Sequence, residues 1–398
     1  MARITMPPGT IAPSTGNQTV DDILYGSRVT SQRYEVLNHD PVTGVDTLAG
    51  YLDGVEAGGS LQWSWNARIK GSGEITVADL DKARDGYMRI ADLDLMLVRI
   101  RPVTLIDGLP DFPRGAYIVT AQPDDWDDTG HLYRLELHDK CVAIDEDQID
   151  RTFTADNTKT VLQWVQTVVQ SAGETMSIDQ SVPDRLANPK AWSVGTSKLT
   201  ICNDLLEVIG YNSLTCDPQG NIVANKSVLP AKRPIVYDVL DLPRELISGP
   251  TSIYAPAWTN DADKYKVPNK IVCVGVGTPD AEPLIGYATN EDPNSEFSYQ
   301  RRKRWKVRTD DGVEVPDGDD ASKVAALTAI ARARLIAASS VQATREITHL
   351  PVPVWIGDAI RFEHSRSGID SRHIITSLRD DLSPTGLMKS TLQEVVDL

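Results

Sequence analysis

The sequence predicts a multidomain α+β chain that is mainly β, with antiparallel barrel or sandwich units on either side of an α+β insert. Three observations carry that expectation. Apolar and polar side chains alternate with a period of two at several places before Asp150, two helical stripes and a tight turn follow it, and strand-like runs return in the last third. With 41% hydrophobic and 24% charged residues in 398 positions, the composition is that of an ordinary folded protein. The length allows several domains with cores of their own.

Met1–Thr30 opens with MARITMPPGTIAPSTGNQTV, rich in proline, glycine and threonine, and reads as an extended arm. It lacks the apolar stretch of a secretion signal, and no run nears the ~18 apolar residues of a membrane span, so no membrane insertion is expected. The first β domain is expected over residues 31–150. Ser31–Asn38 is a strand candidate, and Ser60–Ile69 sets Leu61, Trp63, Trp65 and Ala67 against Gln62, Ser64, Asn66 and Arg68. Leu95–Ile106 and Ala116–Ala121 are β-rich runs separated by the loop chemistry of DGLPDFPRG, and Leu132–His138 alternates again.

The insert is expected over residues 151–265. Thr154 and Asp156 offer caps for a helix with Val161, Leu162, Trp164, Val165, Val168 and Val169 as its apolar stripe, ending near Gly173. A second helix fits Thr200–Ile209 with Gly210 as its stop. Asp217-Pro218-Gln219-Gly220 then turns a hairpin within Tyr211–Asn225, and the proline-bearing stretch Leu229–Pro243 completes the unit.

The second β domain is expected over residues 266–398. Lys270–Val276 and Phe297–Val307 read as strands, followed by an alanine-rich helix over Asp319–Ala338 with Leu327, Ile330, Leu335 and Ile336 inward. Strands over Thr344–Leu350, Ala359–Glu363, Ser371–Ser377 and Met388–Val396 close the chain.

Chemistry-bearing motifs are missing. The sequence has no GxSxG elbow, HExxH, phosphate loop or deaminase pattern, and Gly275-Val276-Gly277 lacks the third glycine and following helix of a dinucleotide turn. No catalytic residues, cofactor or metal are therefore expected. The four cysteines (Cys141, Cys202, Cys216, Cys273) are widely spaced and read as reduced thiols in the core or near the surface. Acidic clusters such as Asp124, Asp125, Asp127 and Asp128 read as solvated loops, with surface calcium as the alternative.

Charge is unevenly placed. The net charge is −16, and Met1–Asp150 holds 13 Lys and Arg against 25 Asp and Glu, a net of −12. Such a surface repels nucleic acid, and no sequence-specific binding is expected. The exception is Arg301–Arg308, RRKRWKVR, where six of eight residues are cationic. As a strand it would present Arg302, Arg304, Lys306 and Arg308 on one face and Trp305 and Val307 on the other. That face could be solvated, could meet an acidic surface across a subunit boundary, or could bind nucleic acid.

Three stretches, in this order, resemble the hub proteins at the distal end of phage tails, particularly minor tail proteins of actinobacterial long-tailed phages. They are Thr154–Gly173 with Leu205–Ala224, then Val267–Gly277, then Asp320–Leu398 with Ala331-Arg332-Ala333-Arg334-Leu335, Leu350-Pro351 and the W-x-G-D-x-I segment Trp355–Ile360. The resemblance implies two tube-like β domains per chain and a homotrimeric ring, whose six similar domains mimic a sixfold tube. It further implies contacts with the tail tube or distal tail protein above, tail fibre or spike proteins below, and the tape-measure protein inside. It places the chain in the virion, at the distal end of the tail, and implies a non-enzymatic role. Two other readings compete: a carbohydrate-binding adhesin, because eight tryptophans could form sugar-stacking platforms, and a cell-wall hydrolase, for which no residue set stands out.

Overall fold

Alternating runs become paired strands in the computed structural model, which describes residues 20–24, 29–127, 130–240, 254–255, 258–261, 267–276, 282–293, 295, 297–315, 318–340, 344–383 and 385–395. The arm expected over Met1–Thr30 lies largely outside these residues. Within it, Val20–Leu24 forms a helical turn instead of extended backbone, burying Ile23 beside Ile106 and Phe112.

Among the described residues, sixteen strands join in one sheet. From the first part of the chain come, in spatial order, Ser60–Ser64, Gly71–Ala78, Gly130–Asp139, Tyr117–Ala121, Val98–Ile106, Thr30–Asp40 and Val45–Leu52. The last part adds Thr259–Asp261, Thr344–His349, Met388–Glu394 and Ile369–Asp381. The two sets meet at a seam where Ser60–Ser64 runs antiparallel to Ile369–Asp381, with Leu61 opposite Asp380 and Trp63 opposite Leu378. One apolar core crosses that seam: Leu61, Ile75, Ile100 and Leu135 share a cluster with Phe362, Leu378 and Leu392. The chain is mainly β and multidomain, and its two β units are stitched edge to edge.

Strands Val45–Leu52 and Gly71–Ala78 have no counterpart in the sequence expectations. The second is glycine-rich because a side chain at Gly73 would stand 2.5 Å from Leu61 on the adjacent strand.

The insert packs its own core around helices Val161–Ser171 and Lys198–Val208. The first helix is capped by Thr160, not by Thr154 or Asp156. Thr160 Oγ1 accepts from the Gln163 amide while Gln163 Oε1 accepts from the Thr160 amide. Thr154 instead lies in the strand Phe153–Ala155, and Asp156 accepts from the Thr158 amide and hydroxyl. The expected hairpin pairs Thr215–Cys216 with Ile222–Val223, with Gly220 at φ +85°. A buried ionic network seats the insert on the first β unit. Arg99 and Lys140 reach the Glu174 carboxylate at 3.1 and 3.3 Å, and Lys140 also reaches Asp46 at 2.8 Å.

The proline-bearing stretch departs from expectation. Ile235–Val239 leaves the insert and pairs in parallel with Ala359–His364 in the long sheet. Lys270–Gly275, by contrast, lies outside that sheet, at the centre of a three-stranded one between Ile285–Thr289 and Val307–Val313. Helix Asp320–Ser340 covers one side of this small sheet, placing Leu327, Ala331 and Leu335 on Ile271, Cys273 and Val313. The helix passes so close that a side chain at Gly286 would stand 2.4 Å from the Thr328 amide nitrogen.

Candidate interaction site

The basic segment is not a strand along its length. Ser298 accepts from the Arg301 amide and starts a single helical turn, Tyr299–Arg302, which Lys303 ends at φ 51°. Buried Asn269 then holds the next residues as a loop: its Oδ1 accepts from the Lys306 amide at 2.7 Å and its Nδ2 donates to the Arg304 carbonyl at 2.9 Å. Only from Val307 does the chain enter the sheet.

The four expected interface cations are therefore not on one face. Arg302 turns inward, donating to the Val267 carbonyl at 2.7 Å with its guanidinium over the Phe297 ring. Arg304 and Lys306 are exposed on the loop. Arg308 pairs with Asp310 at 2.9 Å, and Asp310 also receives Arg334 from the covering helix at 2.8 Å. Partial burial works to raise the Asp310 pKa, but the two guanidinium groups hold it below the usual carboxylate range.

Trp305 and Val307 do share a surface, but a different one from that expected. Register places Val307 beside Lys270, and Val272 beside Tyr287, all on the side away from the helix. Lys270 Nζ lies 5.0 Å from the Tyr287 ring centre and 5.6 Å from that of Trp305, which stacks on Tyr299 at 4.4 Å.

Most other tryptophans are committed to packing. Trp63 is buried against Trp355, Trp65 lies near both Lys70 and Arg233, and Trp164, Trp192 and Trp258 contact Phe153 or Phe362. Trp126 is the other exposed ring, 74% accessible, stacked on His131 at 3.9 Å in the hairpin made by Asp124–Asp127 and Gly130–Asp139.

Several clusters carry groups with catalytic or metal-binding chemistry. His349 Nε2 and Ser390 Oγ are 2.7 Å apart, a nucleophile–base spacing, with both residues buried in the long sheet, and His364 Nδ1 and Ser367 Oγ form an exposed pair at 2.8 Å. Asp139, Cys141 and Cys216 come together although distant in sequence, with their candidate ligand atoms within 4.8 Å of one another. The Asp139 oxygens already accept from the Gly71 and Cys141 amides, and the neighbouring Cys216 thiol, together with burial, pushes the Cys141 pKa well up. All three groups are buried. A cavity of about 450 Å³ lies where the two β units meet the insert hairpin, walled by Trp65, Phe112, Val354 and Trp355 beside Arg233 and Asp358. Among the described residues no helix is long and apolar enough to cross a membrane.

The fold of the chain is similar to that of several solved tail proteins. The chain aligns with a tail protein from Neisseria meningitidis at a TM-score of 0.60 and 13% identity, covering 92% of this chain and 97% of that one. The prophage MuSo2 tail protein from Shewanella oneidensis gives 0.56 at 14% identity, over 91% and 98% of the two chains. A prophage tail protein from Listeria monocytogenes gives 0.52 at 13% identity, over 90% and 94%. No known protein-family profile and no curated protein sequence matches.

Proposed function

We propose that this chain is a structural virion protein, the hub of a phage tail tip, which assembles as a homotrimeric ring. The ring connects the tail tube or distal tail protein to the adsorption apparatus and leaves an axial channel for DNA ejection. The observation that carries this reading is the end-to-end similarity with tail proteins, over nine-tenths of both chains, of a fold in which two β units share one sheet. Two edge-joined units per chain would give three chains six β units around an axis, matching a sixfold tube above. Tape-measure and fibre or spike proteins are the partners this position implies. The sequence carries no catalytic motif and the His349–Ser390 pair is buried, so in this reading the chain acts without catalysis, and peptidoglycan hydrolysis should not follow it through purification. Mass measurement of native tail tips tests the hub reading: copy number should be a multiple of three at the distal end. A monomer or dimer there, or a location along the tube, would overturn it.

A further inference from the structure

The small sheet has one face covered by its helix and one left open. Outward-facing Ile285, Tyr287 and Val307 are 52%, 57% and 51% exposed, and the Trp305 ring extends this surface at 39%. An apolar and aromatic area beside Lys270, with Arg304 and Lys306 exposed on the adjoining loop, has the aromatic content of a protein interface core. Its charge points to an acidic occupant. The same chain carries one: the hairpin in which exposed Asp124 and Asp125 precede Trp126, with Asp125 also paired to Arg134. That hairpin is pre-organised, because His131 contacts Asp124 at 3.0 Å and Asp79 at 3.3 Å while stacking on the indole. A rigid aromatic flanked by carboxylates, facing a basic aromatic patch, loses little freedom on docking.

We propose that the open face of the three-stranded sheet, centred on Tyr287 and Trp305, docks the acidic Trp126 hairpin of a second copy of this chain. The contact is heterologous, since different surfaces of the two copies meet, and such contacts close into rings when the rotation permits. It rests on the ring reading above and names where the subunits touch.

The test uses the full chain in sedimentation velocity at low and high salt, with circular dichroism and melting temperature as controls for folding. The parent should self-associate. Tyr287→Asp and Trp126→Ala should each weaken association roughly 10-fold or more, as loss of a central aromatic anchor does. Arg304→Glu with Lys306→Glu should weaken it most at low salt, and adding Asp124→Arg and Asp125→Arg to the same chain should restore it. A parent that stays monomeric overturns the second-copy occupant. Undiminished association of folded Tyr287→Asp and Trp126→Ala overturns the contact, as does a combined charge-swapped chain that fails to recover. If native tips hold a multiple of three copies while these variants still assemble, the contact falls and the hub reading stands. A copy number that is not a multiple of three overturns the hub reading, and the pairwise loss and rescue still decide the contact.

Discussion

Asp358 and His373 are titratable groups whose surroundings oppose their charged forms, and they pull stability in opposite directions with pH. Burial in the wall of the interdomain cavity pushes the Asp358 carboxyl up to about 6, against the amide of Trp355 and the charge of Arg233, which favour ionisation. Burial beside the Arg345 guanidinium pushes His373 down to about 4. An acid whose pKa is higher folded than unfolded binds more protons in the native state, so stability falls as pH rises from about 4 to 6. A histidine whose pKa is lower folded than unfolded binds fewer, so its contribution is lost as pH falls from about 6.5 to 4. Each effect amounts to at most about 3 kcal/mol, and the two largely offset each other in the parent. Asp358→Asn keeps an acceptor for the Trp355 amide and removes the first effect. The variant should match or exceed the parent's urea stability at pH 7.5 and lose stability steeply between pH 6.5 and 4. A pH profile identical to the parent's would show that Asp358 ionises normally. The same residue scale explains one blind spot of sequence reading. Asp139, Cys141 and Cys216 converge through pairing of distant segments, which spacing along the chain does not reveal.

Elements were legible where local chemistry and tertiary packing agree. The stripe of Val161, Val165 and Val168 and the turn at Asp217–Gly220 form as their periodicity and turn residues predict, because nothing distant competes with them. The basic segment was misread because its conformation is set from outside. Asn269 and Ser298 impose a turn and loop on residues whose alternation reads as a strand. Asn269→Ala should therefore release the Arg304–Lys306 loop, raising its amide hydrogen exchange while the rest of the small sheet stays protected. Ile235–Val239 was assigned to the insert because its partner lies more than a hundred residues later, at Ala359–His364. The small sheet supplies a second element-scale prediction. At Gly286 any Cβ would collide with the backbone of the covering helix at Leu327 and Thr328. Gly286→Ala should cost about 1–3 kcal/mol by overpacking, read as a lower midpoint in denaturant with the slope unchanged. An unaffected midpoint would mean that the helix can move away freely.

At the scale of the whole molecule, the seam between the β units is where separate domains become one cooperative body. A buried ion pair sits on it. Arg114 from the first unit approaches Asp380 on the strand that pairs with Ser60–Ser64, Nε to Oδ2 at 3.0 Å, and both side chains are nearly inaccessible to solvent. Neither Asp380 oxygen receives an aligned hydrogen bond, so charge holds the pair, and burial raises the carboxyl pKa despite the guanidinium. Removing one partner leaves the other charge buried and uncompensated, which costs about 3–5 kcal/mol, whereas removing both is often nearly neutral. Arg114→Met should therefore destabilise strongly, and Arg114→Met with Asp380→Leu should recover most of the loss. Because a single apolar cluster crosses the seam while the insert packs its own, the damage should spread through both β units together. In Arg114→Met, hydrogen exchange should rise in Ser60–Ser64 and Ile369–Asp381 alike, with helices Val161–Ser171 and Lys198–Val208 less affected. Opening confined to one β unit would show that the shared sheet does not couple them. A ring built from such chains would then draw its rigidity from contacts between copies alone.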